Sequence, residues 1–82
     1  AGVIITEVAP DSLAEELELE PNDRIVKVNG RAVRDYLDFR FQTSGETELD
    51  LTVKKPNGET WEIELEREEG EDFGLMFEQI VP

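Results

Sequence analysis

Glu48-Leu49-Asp50-Leu51-Thr52-Val53-Lys54 switches between polar and apolar residues at every step. A period of two puts alternate side chains on opposite faces, so the segment predicts a strand with one buried face. Pro56-Asn57-Gly58 follows as a tight turn, and Thr60-Trp61-Glu62-Ile63-Glu64-Leu65-Glu66 alternates again. The two segments predict an antiparallel hairpin. Trp61 shares its face with Ile63 and Leu65, so it is expected to pack on the sheet.

Other segments carry similar signals. Val3-Ile4-Ile5-Thr6-Glu7-Val8 is short and β-branched, which predicts a strand. Ala9-Pro10-Asp11-Ser12 ends it, and Asp11 or Ser12 can cap a short helix, with Glu15 placed to reach back. Leu13, Ala14 and Leu17 share one face of that helix, and Pro21 is expected to close it. Arg24-Ile25-Val26-Lys27-Val28 reads as a strand, Asn29-Gly30 as a tight turn, and Arg31-Ala32-Val33 as a brief strand. Asp35 caps a second helix running to about Gln42, before Thr43-Ser44-Gly45. Leu75 to Ile80 is the last expected strand, after an acidic loop.

Composition excludes several functions. The 82 residues suit one small domain that buries roughly 60% of its unfolded surface. The chain has no cysteine and no histidine, so the commonest general base and the thiolate metal site are both missing. Its formal charge is −13, from 21 acidic and 8 basic residues. That balance argues against nucleic acid and against an anionic membrane surface. Repulsion between copies favours a monomer. The acidic run 66–72 lacks the spacing of a calcium loop and reads as a solvated loop. The expectation is a domain that is not itself an enzyme. Because Ala1-Gly2-Val3 looks like a strand already under way, residues 1–82 are expected to be a piece of a longer protein.

Ala-Pro-Asp-Ser-Leu-Ala-Glu-Glu-Leu (9–17) and Glu-Pro-Asn-Asp-Arg-Ile-Val-Lys-Val-Asn-Gly (20–30), in this element order, resemble a PDZ domain. Asp11 and Asn22 stand where the family commonly has glycine, and Glu18 stands where a helix-ending glycine is common. The resemblance implies an α+β fold, a small, partly open antiparallel barrel of five to six strands with two helices. It also gives Phe73-Gly74-Leu75 a meaning. PDZ domains carry an apolar-Gly-apolar loop whose backbone N–H groups hold the terminal carboxylate of a peptide. Glycine permits the turn, and successive amides make an anion site without a basic side chain. This loop comes last here, so the chain looks circularly permuted, with the strand after it lying beside Val3–Val8. Residues 33–41 and 71–78 together are similar to the N-terminal PDZ-like domain of bacterial radical-SAM proteins. That likeness implies a cytoplasmic iron–sulfur parent, with a 4Fe–4S cluster and S-adenosylmethionine held outside this domain.

The expected peptide site comprises Phe73, Gly74, Leu75, Met76 and Phe77 with Tyr36, Phe39 and Arg40 of the second helix. Leu37 and Phe41 are assigned to the core and Tyr36, Phe39 and Arg40 to the groove; the reverse assignment fits the same spacing. Arg67 has two readings, support for the carboxylate or simple compensation of neighbouring glutamates. The expected partner is a peptide or protein C-terminus, neutral or basic, added as a strand. The alternative is a structural docking domain whose groove is unused or filled by the parent chain. An open apolar pocket beside Leu75 favours capture, whereas Tyr36 or Phe39 folded into it favours docking.

Overall fold

The computed structural model describes residues 2–78. Eight elements follow in order: β1 (Val3–Val8), α1 (Leu13–Glu16), β2 (Arg24–Val28), β3 (Arg31–Ala32), α2 (Tyr36–Thr43), β4 (Glu48–Lys54), β5 (Thr60–Glu66) and β6 (Leu75–Phe77). The strands form one antiparallel six-stranded sheet in the order β5-β4-β2-β1-β6, with β3 paired to β2. This is the expected PDZ-like α+β architecture. The last strand was expected to reach Ile80; residues 79 and 80 lie outside the described residues.

The β4–β5 hairpin pairs in unbroken register from Glu48 opposite Glu66 to Lys54 opposite Thr60. Leu49, Leu51 and Val53 therefore face Leu65, Ile63 and Trp61 across the ladder. Ile5, Ile25, Val28, Val33, Leu51 and Val53 are fully buried and form the centre of the core. Asn29 and Gly30 both take positive φ, 51° and 79°, which matches the twist a two-residue hairpin turn requires.

Ser12 caps α1, its Oγ accepting from the Glu15 N–H at 3.2 Å, while Glu15 Oε1 accepts from the Asp11 N–H at 3.1 Å. The helix stops before Pro21 is reached, which corrects the expected terminator. Leu19 N–H donates to the Ala14 carbonyl and Glu18 N–H to that of Glu15, each at 3.0 Å, with Glu18 left-handed at φ 63°. That is the helix-ending motif in which glycine is usual. Asp11 and Asn22 are left-handed too, at 59° and 78°. The positions where the family commonly has glycine thus keep glycine-like backbone with other residues.

Asp35 caps α2 by accepting from the Asp38 N–H at 2.8 Å. The Arg34 backbone N–H donates to Asp38 Oδ2 at 2.9 Å and, with smaller help from Gln42 and the Arg34 guanidinium, holds the Asp38 carboxyl below the usual aspartate range. A carboxyl whose folded pKa is depressed adds stability at neutral pH that is lost as the pH falls through that lowered value.

Two core assignments on α2 are overturned. Leu37 is 71% and Phe41 82% exposed, whereas Phe39 is buried at 3%. Phe39 and Thr43 lie four residues apart and face the sheet together, which turns Leu37 and Phe41 outward. Thr43 tolerates burial because its hydroxyl donates to the Phe39 carbonyl at 2.9 Å.

A charge pair closes the other end of the sheet. Lys55 Nζ lies 2.6 Å from Asp23 Oδ2, with side chains only 7% and 1% exposed. Asp23 also accepts from the Glu20 N–H at 2.9 Å, and the ammonium sits 4.1 Å from the Trp61 ring centroid. A buried pair is weak evidence of net stability, but one partner left alone is expensive, about 3–5 kcal/mol. Lys55→Met should therefore cost about that much, a large share of the stability of a small domain, and lower the urea midpoint of far-UV circular dichroism accordingly. Glu18→Gly should act the other way. Relief of the left-handed backbone should raise stability by up to about 1 kcal/mol in the same assay.

Candidate functional site

β6 lies beside β1, with Phe77 opposite Ile5 and Leu75 opposite Val8, and among the described residues it pairs on that side alone. Alternation along β6 leaves Leu75 and Phe77 half-buried and Met76 59% exposed. α2 supplies the opposing wall. Phe39 packs between Phe73, at 5.7 Å between ring centroids, and Phe77, at 5.1 Å, while the Tyr36 ring lies 5.5 Å from Phe77. A cavity of about 220 Å³ remains beside these rings. Phe73, Leu75 and Phe39 line it with Arg40, Arg67 and Asp72.

The loop before β6 is held from three sides. The Ala14 N–H donates to the Phe73 carbonyl at 2.9 Å, and the Ala9 N–H donates to the Gly74 carbonyl at 2.8 Å. Among the described residues, none accepts from the N–H groups of Phe73 and Gly74. Arg67 braces the third side. Its guanidinium donates to the carbonyls of Glu46, at 3.0 Å, of Glu71, at 2.6 Å, and of Thr43. Its Cζ also lies 4.7 Å from the Phe73 ring centroid. Neither reading of Arg67 anticipated this. It does not pair with glutamate carboxylates among the described residues; it ties the acidic loop to the end of α2 through carbonyl oxygens.

Gly74 has φ +80°, and a Cβ there would fall 2.3 Å from Ser12 Cβ and 2.7 Å from its Oγ. Glycine is therefore required by the packing of the loop on the cap of α1, in addition to the turn itself. A ligand need not be invoked for it.

Of the eight expected site residues, Phe73, Leu75, Phe77, Tyr36, Phe39 and Arg40 line one cavity. Gly74 shapes the loop from behind. Met76 does not join them, because the strand period points it to the other face. Arg67 lines it too, and Thr43, Ser44, Gly45, Gly70 and Asp72, which complete the lining, were missed in the sequence. Four of these five lie in turns or irregular loop, where no periodic signal marks which way a residue points.

A family model described as PDZ domain matches residues 4–55. The chain belongs to the PDZ family. A curated relative of this PDZ domain is a putative zinc metalloprotease of Rhizobium meliloti (strain 1021), 35% identical over 54 residues. The match takes in 66% of this chain but 14% of that protein's length. PDZ domains are protein-interaction modules, which is the coarse function of this one. No helix among the described residues is long and apolar enough to cross a membrane. Among them, too, no group of three or more acidic side chains is arranged to hold a metal ion.

Replacing Gly74 tests the geometry directly. Gly74→Ala combines left-handed strain, about 1–2 kcal/mol, with a steric overlap that must displace Ser12. Gly70→Ala has nearly the same φ, +81°, but open space, so it should incur the strain alone. Urea midpoints of the two variants should rank Gly74→Ala clearly lower.

Proposed function

We propose that this PDZ domain captures the C-terminal end of a peptide or protein by adding it as a strand to the open edge of β6. The observation that carries this reading is the cavity that Phe73 and Leu75 line with α2, beside an edge strand. The amides of Phe73, Gly74 and Leu75 hold the carboxylate. Backbone pairing on β6 supplies affinity, and the last side chain packs near Leu75, Phe77 and Phe39. Arg40 on the cavity wall offsets local negative charge. A neutral or basic peptide suits a chain of formal charge −13 better than an acidic one.

The Tyr36–Phe77 and Phe39–Phe77 contacts favour a second reading, in which the apolar part of the groove is closed and the module docks domains of its parent. Either role places catalysis outside this chain. The likeness of residues 33–41 and 71–78 supports a permuted PDZ module in a cytoplasmic radical-SAM parent, whose 4Fe–4S cluster and S-adenosylmethionine would bind elsewhere. The curated relative supports a metalloprotease parent instead. A cysteine-bearing domain after residue 82 would decide for the first.

A heteronuclear NMR titration separates capture from docking. Peptides with free C-termini should shift the Phe73, Gly74 and Leu75 amides, and their C-amidated forms should not. Silence from both sets at about millimolar peptide, a binding free energy weaker than roughly −4 kcal/mol, would overturn capture.

A further inference from the structure

We infer that Ser12 is the positioning residue of the carboxylate loop: through the turn that it caps, it aims the Gly74 and Leu75 amides at the bound chain end and sets the preference for a free carboxylate. This rests on the capture reading and names what makes that site selective. A peptide group is planar and trans, so its carbonyl and its N–H point in opposite directions. The Phe73 carbonyl shares a group with the Gly74 N–H, and the Gly74 carbonyl shares one with the Leu75 N–H. Both carbonyls are anchored on the same short turn, by the Ala14 N–H at 2.9 Å and the Ala9 N–H at 2.8 Å. Each anchor turns the N–H of its group away from residues 9–14, toward the side on which Phe73 and Leu75 line the cavity. Successive amides aimed into one concavity suit an anion. A carboxamide end gains less from the same donors, because hydrogen bonds to a charged acceptor are roughly twice as strong as neutral ones.

Ser12 holds the two anchors together. Its hydroxyl donates to the Ala9 carbonyl at 2.7 Å and accepts from the Glu15 N–H at 3.2 Å. The first bond fixes the residue whose N–H grips Gly74. The second starts the helical turn that presents the Ala14 N–H to Phe73. Ser12 also walls the loop from behind, since a Cβ at Gly74 would fall 2.3 Å from Ser12 Cβ. It does not line the cavity, so its influence on a ligand runs through the loop.

The test is the variant Ser12→Gly. It removes the hydroxyl and the wall, yet glycine caps a helix nearly as well as serine, so the domain should stay folded. The probes are short peptides with uncharged side chains ending in leucine, each made as the free acid and as the C-amide. The wild type should prefer the free acid about tenfold or more, and Ser12→Gly should cut that preference to about threefold or less. A purely structural loss would weaken both forms together and leave the ratio alone. Asn29→Ala controls for stability. It removes an acceptor of the Asp50 N–H, at 2.9 Å in the turn between β2 and β3, and should keep the wild-type ratio. In the ligand-free protein, hydrogen exchange at the Ala9 and Ala14 amides should quicken about tenfold or more in Ser12→Gly. A wild-type ratio retained in Ser12→Gly overturns the positioning role and leaves capture standing. An equal fall of the ratio in Asn29→Ala, or unchanged exchange at Ala9 and Ala14, overturns it as well. A wild type that does not distinguish acid from amide overturns capture itself, and the role of Ser12 falls with it.

Discussion

Phe39 sits between Phe73 and Phe77, and the candidate site depends on that packing. Its ring fixes the distance from α2 to β6 and supports the loop between them. Because Phe39 is also part of the core, the groove wall and the sheet share a single anchor. The helix cannot shift toward or away from β6 without disturbing that anchor. Interiors packed this tightly transmit such shifts to their neighbours.

The polar bonds around the loop reinforce the arrangement. Arg67 commits its guanidinium to three carbonyl oxygens, from the end of α2, the connection between α2 and β4, and the acidic loop. Ala9 and Ala14 take the two loop carbonyls from the side of β1 and α1. The loop is therefore held by backbone groups and one cation, although acidic residues surround it. Backbone amides make an anion site possible in an acidic chain, since their dipoles do not depend on its net charge.

Much of the fold was legible. The β4–β5 hairpin, the Asn29-Gly30 turn and the caps at Ser12 and Asp35 follow from period, φ preference and side-chain oxygens within a few residues. The left-handed positions of Asp11, Glu18 and Asn22 were marked by where the family's glycines fall. The two faces of α2 were not legible, because aromatic and aliphatic residues occupy nearly every side of Tyr36–Phe41. Periodicity separates apolar from polar and cannot rank Leu37 and Phe41 against Phe39. Arg67 and Lys55 were equally opaque, since their partners lie about 20 and 32 residues away in the chain.

The sequence by itself determined the strands, their alternation, the turns and the glycine before β6, because each depends on local backbone preference and side-chain period. Tertiary structure alone decided which face of α2 meets the sheet, why Gly74 tolerates no side chain, and where the buried charges of Asp23 and Lys55 find each other. Those outcomes depend on distances between segments far apart in sequence. No local propensity encodes such distances; they are set when the sheet closes and the core packs.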